Sequence, residues 1–285
     1  MGRLQGKVAI VTGAGCVGTG WGNGRAMAVR FAQEGARVFA VDRDPERLKE
    51  TLERAGHGGA ASSTGSSVAP GANASHSASA MMVAHQCDAT DSASVAAMVA
   101  AAVKQFGRID ILVNNVGGSA AGGPVEMSEE VWDAQIDFNL KSVFLGCKHV
   151  LPLMEAQGSG VIINIASSSG LRWTGAAQVA YAATKAAVMQ LTKVVAVQYA
   201  PKGIRVNCVV PGQLHTPMVE TRLAKQRADG DVEALLASRR KRIPLGFMGD
   251  GRDTANAALF LASDEAKFIT GTDIIVDGGM TARCD

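Results

Sequence analysis

Residues 7–42 read KVAIVTGAGCVGTGWGNGRAMAVRFAQEGARVFAVD. Two short apolar runs, KVAIVT (7–12) and RVFAVD (37–42), flank a glycine-dense turn and the helical pattern GRAMAVRFAQEGA (24–36). Runs of this kind suit strands buried on both sides of a parallel sheet. A strand, a helix and a second strand in this order predict one βαβ unit. Glycines at 13, 15, 18, 20, 22 and 24 let the backbone turn sharply and come close to a ligand. The helix start behind them offers unpaired N–H groups and a positive dipole end, which suit a pyrophosphate. A tight strand–helix turn without a ligand has the same composition. Asp42, 18 residues beyond Gly24, tips the balance. A carboxylate at the end of the second strand accepts hydrogen bonds from an adenosine ribose and repels a 2′-phosphate, which favours NAD over NADP. Arg43 beside it is a residue type that holds a 2′-phosphate, and an aspartate there also starts turns.

The alternation continues outward. MMVAHQCD (81–88), IDILVNN (109–115), GVIINIAS (160–167), IRVNCVV (204–210) and DIIVDGG (273–279) read as further strands. SASVAAMVAAAVKQFG (92–107) and AYAATKAAVMQLTKVVAVQYAPKG (180–203) read as helices between them. The fold class predicted is α/β: a single Rossmann-like doubly wound domain over residues 1–285, with a parallel sheet of about seven strands flanked by helices. One stretch, 56–80, is Gly, Ala, Ser and Pro with little to bury. It is expected to be a low-complexity surface insertion, because burial cannot offset the entropy of ordering it.

Composition narrows the classes of function. Hydrophobic residues make up 47% of the 285 and charged residues 19%, as in ordinary globular proteins. A net charge of +2 gives no basis for a nucleic-acid surface. No apolar run is long enough to cross a bilayer, and the first residues lack the pattern of a secretory signal. A cytoplasmic protein with no membrane or nucleic-acid partner is therefore expected. The five cysteines are scattered without a C-x-x-C pair, and the five histidines do not cluster. Reduced thiols and no metal site are expected.

A second stretch carries the chemistry. VAYAATKAAV (179–188) sets Tyr181 one helical turn before Lys185, on the same face. A free tyrosine has a pKa of about 10, so service as a base near neutrality needs about 4 kcal/mol of help. One ammonium about 4 Å away, at an effective dielectric near 20, supplies about 4 kcal/mol. Burial alone works against the phenolate. As an isolated pair, a core tyrosine beside a solvated lysine is the more common explanation of the spacing. The serines of VIINIASSSG lie at the end of a strand where open α/β sheets bind ligands, and the chain then returns to Tyr181. A serine there can hydrogen-bond a substrate oxygen, or simply cap the next helix.

Taken in order, TGAG…GNG, Asp42, CDATD (87–91), NNVG (114–117), Asn139 in IDFNLKSVF, NIAS (164–167), Tyr181/Lys185, PGQLHT (211–216) and ITGTDIIVDGG (269–279) resemble the short-chain dehydrogenase/reductase family over nearly the whole chain. The resemblance implies hydride transfer between a secondary alcohol or ketone and NAD. It implies Tyr181 as general acid/base, Lys185 as the residue that lowers its pKa and holds the nicotinamide ribose, and Ser167 as the group that orients the substrate oxygen. Asn139 would steady a proton relay, although a polar residue bracing a helix interior explains it too. Gly13, Gly22, Asn23, Gly24, Asp42, Asp88, Ala89, Asn115, Gly117, Leu214 and Thr216 would line the cofactor cleft with Tyr181 and Lys185. The family also implies a homotetramer joined through two long helices, 128–158 and the tyrosine helix.

Three departures stand out. The glycine turn is about five residues longer than the family's, around CVGTG (16–20). Val116 replaces the usual alanine. Ser167 lies 14 residues before Tyr181 where 13 is common, so Ser168 is the competing choice.

The substrate pocket is less defined. By the resemblance its walls come from Gly118, Ser119, Trp173, Gln178 and a lid at 217–249. Trp173 faces an apolar substrate or packs in its loop. Within the lid, RRKR (239–242) is expected to be a solvated basic helix end, the alternative being attraction of a carboxylate or a phosphopantetheine carrier. An NAD-dependent alcohol dehydrogenase or ketone reductase leads. A 3-oxoacyl-thioester reductase and a non-catalytic nucleotide-sensing protein are the alternatives.

Overall fold

A computed structural model describes residues 2–56, 81–223 and 231–284. Its seven strands are β1 (Val8–Thr12), β2 (Arg37–Asp42), β3 (Met82–Gln86), β4 (Ile111–Asn114), β5 (Gly160–Ile165), β6 (Ile204–Pro211) and β7 (Asp273–Val276). They form one sheet in the order β3-β2-β1-β4-β5-β6-β7, and every pairing is parallel. The order reverses between β1 and β4, which opens a crevice at their C-terminal ends, where such sheets bind ligands.

Alternation along each strand feeds two cores. Ile10, Leu112, Ile162, Val206 and Cys208 face one side, with Val95, Met98, Val143, Val150 and Val188 packed on them. Ala9, Val11, Ile111, Val113 and Ile163 face the other, with Ala26, Met27, Phe31, Ala258 and Leu259. Burial on both faces explains why the strands read as unbroken apolar runs. The helices on the first side are α3 (Ser92–Phe106), α5 (Ser142–Gln157) and α6 (Val179–Tyr199). On the second are α1 (Asn23–Gln33) and a later helix, Gly251–Ala262.

Three differences from the expected elements matter. The segment 128–158 is not one regular helix: α4 (Glu129–Ile136) passes through a π-helical turn, Asp137–Lys141, into α5. Asn139 sits inside that turn, a local widening often found at functional sites. The tyrosine helix ends at Tyr199 and tightens into a 3₁₀ turn over Ala200–Lys202. Of the segment 56–80, Gly56 ends α2 (Lys49–Gly56), and the rest lies outside the described residues.

The helix α1 starts at Asn23 with Gly22 as its N-cap, so GNG leads into it as the sequence predicts. A side chain at Gly24 is impossible: a Cβ there would lie 1.8 Å from the Gly13 carbonyl oxygen. The five extra residues before Gly22 are held by Arg25, which is buried. Its Nη1 donates to the carbonyls of Gly18 and Gly20 at 3.1 and 2.9 Å and pairs with Glu50 at 2.7 Å. Trp21 lies under the Arg54 guanidinium, 4.4 Å from its centroid.

Candidate active site

The crevice between β1 and β4 opens into a cavity of about 580 Å³. Asn115 ties the two strand ends together, its Nδ2 donating to the carbonyls of Thr12 and Gly13 at 3.2 and 3.1 Å. At one end stand Asp42 and Asp88. Asp42 accepts the Gly15 and Asp44 backbone N–H groups at 3.0 and 3.1 Å, one on each carboxylate oxygen. Each oxygen retains a lone pair for a further donor. Thr90 donates twice to Asp88, and with Arg43 behind it this holds the Asp88 carboxyl below the usual carboxylate range.

Next to this end, α1 begins without a side-chain cap or an acidic residue in its first turn. Its first N–H groups are therefore open to an anion. Further along, the buried Gln213 Oε1 has no hydrogen-bond partner. A carboxylate end, an uncapped helix start and a buried amide acceptor fit the ribose, the pyrophosphate and the carboxamide of a nicotinamide dinucleotide.

At the far end, α6 presents Tyr181 and Lys185 to the cavity, and Ser167 closes it from the end of β5. Lys185 is buried; its Nζ donates to the Ile165 carbonyl at 2.8 Å and lies 5.7 Å from the Tyr181 ring centroid. Burial pulls the Lys185 pKa down to about 8, with Cys208 opposing. Ser167 caps the short turn Ser168–Gly170, its Oγ accepting the Ser169 N–H at 3.2 Å. Its own O–H is thereby left to donate to a ligand oxygen. Ser168 is buried in the same turn and also reaches the cavity wall.

Gly13, Gly22, Asn23, Gly24, Ala89, Gly117, Leu214 and Thr216 line the same cavity. Asn139 does not. It is fully buried behind the wall, where Oδ1 accepts the Gly118 N–H at 2.9 Å and Nδ2 donates to the Gly118 and Gln135 carbonyls. A Cβ on Gly117 would come within 2.9 Å of Asn139 Oδ1 and 3.0 Å of Lys185 Nζ. Both polar groups therefore press on the same glycine.

Two expectations about the pocket change. Trp173 is 73% exposed and is not among the residues lining the cavity. The run 239–242 is not wholly solvated: Arg239 is 5% exposed and lines the cavity, while Arg240 and Lys241 are exposed. Expected from the sequence as a solvated basic end, this helix has one of its arginines buried against the cavity.

The sequence reading also missed the supports of the site. Asn114 donates to Asn164 at 2.9 Å, and Asn164 donates to Thr192 at 2.9 Å. This buried chain links β4 and β5 to α6 and fixes the helix that carries Tyr181. Its signal was two asparagines inside apolar strands. Gln178, Ser169 and Thr174 form a second network, in which Gln178 Nε2 donates to Ser169 Oγ at 2.7 Å and the two hydroxyls lie 3.1 Å apart. It holds the loop between Ser167 and the helix.

Residues 18–281 match a family model described as Enoyl-(Acyl carrier protein) reductase. The chain is 40% identical over 281 residues to the oxidoreductase UcpA of Escherichia coli O157:H7, covering 99% of this chain and 97% of that protein. It is 38% identical over 277 residues to the 2,5-dichloro-2,5-cyclohexadiene-1,4-diol dehydrogenase LinX of Sphingobium indicum, covering 97% of each. Among solved structures, a Burkholderia xenovorans chain assigned to the short-chain dehydrogenases/reductases superposes with a TM-score of 0.89 at 59% identity, over 100% of both chains.

Proposed function

The chain belongs to the short-chain dehydrogenase/reductase family, and we propose that within it this protein is an NAD-dependent dehydrogenase of secondary alcohols, or reductase of the matching ketones. The observation that carries this reading is that Tyr181, Lys185 and Ser167 share one cavity with Asp42. Gly13, Gly22, Asn23 and Gly24 would hold the pyrophosphate, Asp42 the adenosine ribose, Asp88 and Ala89 the adenine, and Asn115, Gly117, Leu214 and Thr216 the nicotinamide side. NAD, when bound, supplies the hydride acceptor.

The chain's own residues handle the proton. Ser167 donates its O–H to the substrate oxygen and fixes it beside Tyr181. Ionised Tyr181 takes the hydroxyl proton as the carbinol carbon gives up its hydride. Lys185 favours the ionised phenol by Coulomb attraction, which acts strongly because the ammonium is out of water. Asn139 acts by position, holding Gly118 and the π-helical turn against the lysine. Residues 217–223 and 231–249 form the substrate lid in this reading.

Asp42 favours NAD because a 2′-phosphate would meet its carboxylate. The description of the matching family model gives the acyl-thioester alternative its weight, and an NADPH preference with acetoacetyl-thioester turnover would support it. Exposed Phe144, Val194 and Val197 on α5 and α6 support assembly into the homotetramer expected from the sequence.

The test is NADH formation from a panel of secondary alcohols. Wild type is expected to turn over at least one. Tyr181→Phe is expected to lose about 10²–10⁴-fold in kcat while binding NAD as before. Near-normal turnover in that variant would sink the assignment.

A further inference from the structure

The orphaned acceptor on Gln213 is the feature of the cavity that proton and hydride transfer leave unused. Gln213 follows the end of β6, lines the cavity and is 8% exposed. Its Nε2 donates at 2.9 Å to the Thr174 carbonyl, which also accepts Arg242 Nη1 at 2.8 Å. That anchor holds the amide on the loop between Ser167 and α6. Thr174 Oγ1 lies 3.1 Å from Ser169 Oγ, and the Ser169 N–H donates to Ser167 Oγ at 3.2 Å. A short run of contacts therefore joins Gln213 to the serine that closes the tyrosine end of the cavity.

The amide has one workable orientation. Turned over, Oε1 would face the Thr174 carbonyl oxygen, acceptor against acceptor. In the orientation that the Thr174 bond fixes, Oε1 is buried with no hydrogen-bond partner. A buried acceptor without a donor is unfavourable, so a donor that arrives with a ligand gains more here than in water. Oε1 has two lone pairs, and a nicotinamide carboxamide on one side leaves the other open to the substrate. Ser167 and Tyr181 take up the reacting oxygen, so this donor is a second group on the same molecule. The carboxylates among the described cavity-lining residues are Asp42 and Asp88, both at the adenosine end. Neither is placed to hold an ammonium beside Gln213, so the matching donor is a neutral hydroxyl.

Resting on the dehydrogenase reading above, we propose that Gln213 accepts a hydrogen bond from a second hydroxyl of the substrate. The preferred substrate class is then a diol and its hydroxyketone. One carbinol is oxidised to the ketone, its hydride passing to NAD and its hydroxyl proton to the Tyr181 phenolate. The second hydroxyl stays unchanged and donates to Gln213 Oε1. The glutamine sets specificity and takes no part in moving the proton.

The test pairs each hydroxyl donor with an ether that can only accept. Oxidation of cyclohexanediols of every hydroxyl spacing and of their monomethyl ethers is measured at saturating NAD. Reduction of the corresponding hydroxycyclohexanones and methoxycyclohexanones is measured at saturating NADH, each with wild type and Gln213→Met. Wild type is expected to favour the hydroxyl member of at least one pair by about 10-fold in kcat/KM, the scale of one buried hydrogen bond. For a diol the comparison allows for its second oxidisable carbinol. These wild-type ratios need no variant to fold. Gln213→Met is expected to bring the ratio close to one, chiefly through KM, whereas a preference set by the bulk of the ether survives the substitution. Binding of NAD and of its acetylpyridine analogue, which lacks the carboxamide N–H, to both proteins separates the cofactor from the substrate as the donor. Equal rates within every wild-type pair, or a hydroxyl preference that survives Gln213→Met, would overturn the proposal. So would a variant that loses only its preference for NAD over the analogue, because the acceptor would then serve the carboxamide alone. In each of these cases the dehydrogenase reading stands. Absence of turnover with every alcohol and ketone would count against both.

Discussion

Lys185 follows Tyr181 by one helical turn, its ammonium 5.7 Å from the phenol's ring centroid and 2.8 Å from the Ile165 carbonyl. The amine is buried and turned inward beside the tyrosine, so the solvated-lysine explanation of the spacing does not hold. A cation kept from water in this way costs the folded protein stability, and in the proposed reading it serves the chemistry instead.

That trade-off can be measured. Burial holds the Lys185 pKa at about 8 in the folded chain, against 10.5 in a solvated lysine. Between these values the unfolded chain binds more protons, so stability rises with pH through that window. Below pH 8 the full desolvation penalty is present, on the order of 3 kcal/mol. Lys185→Met is therefore expected to be more stable than wild type at pH 7 by about 1–3 kcal/mol, discounting the lost bond to Ile165. The advantage should shrink toward pH 10.5 while activity is lost throughout. Urea denaturation of the apo protein across this range checks it, and a less stable Lys185→Met at pH 7 would rule it out.

In the proposed reading, cofactor choice turns on Asp42. In Asp42→Ser the carboxylate acceptors that face the cavity disappear, along with the acceptor for Gly15. The KM for NAD is expected to rise about 10–100-fold, the scale of hydrogen bonds to a charged group, and NADP to become the better cofactor. Steady-state kinetics with both cofactors decides this. A wild-type enzyme that already prefers NADP would contradict it.

The lengthened glycine turn depends on Arg25. Its side chain is buried and holds two carbonyls of the extra residues, whereas Glu50 is partly exposed. Arg25→Met leaves the Gly18 and Gly20 carbonyls unmatched, while Glu50 keeps its pair with Arg54, and is expected to cost about 2–3 kcal/mol. Glu50→Gln keeps a hydrogen-bonding group near water and should cost about 1 kcal/mol. Chemical denaturation of both variants compares them; equal losses would show that the turn does not rely on the arginine.

The sheet was legible because its five inner strands, β2, β1, β4, β5 and β6, are mostly buried on both faces and read as apolar runs, whereas the edge strands β3 and β7 are only partly buried. Glycine spacing located the start of α1, and the four-residue interval placed Tyr181 over Lys185. What the sequence hid was long-range. Nothing local ties Asn114 to Asn164 and Thr192, or Arg25 to carbonyls in the turn before it. The π-helical turn around Asn139 left no mark either, since its residues are ordinary helix formers. Arg239 read as solvated because charge runs usually are, and only the docking of Arg242 on Thr174 shows which way its helix faces.

The central claim is that Lys185 makes Tyr181 easier to ionise. The chain has only two tyrosines, so Tyr199→Phe leaves Tyr181 as its single phenol. The phenolate absorbance of that variant with NAD bound is followed against pH, with and without Lys185→Met. The account predicts that phenolate forms at least about one pH unit lower when the lysine is present, equivalent to about 1.4 kcal/mol. Coincident titration curves would contradict it.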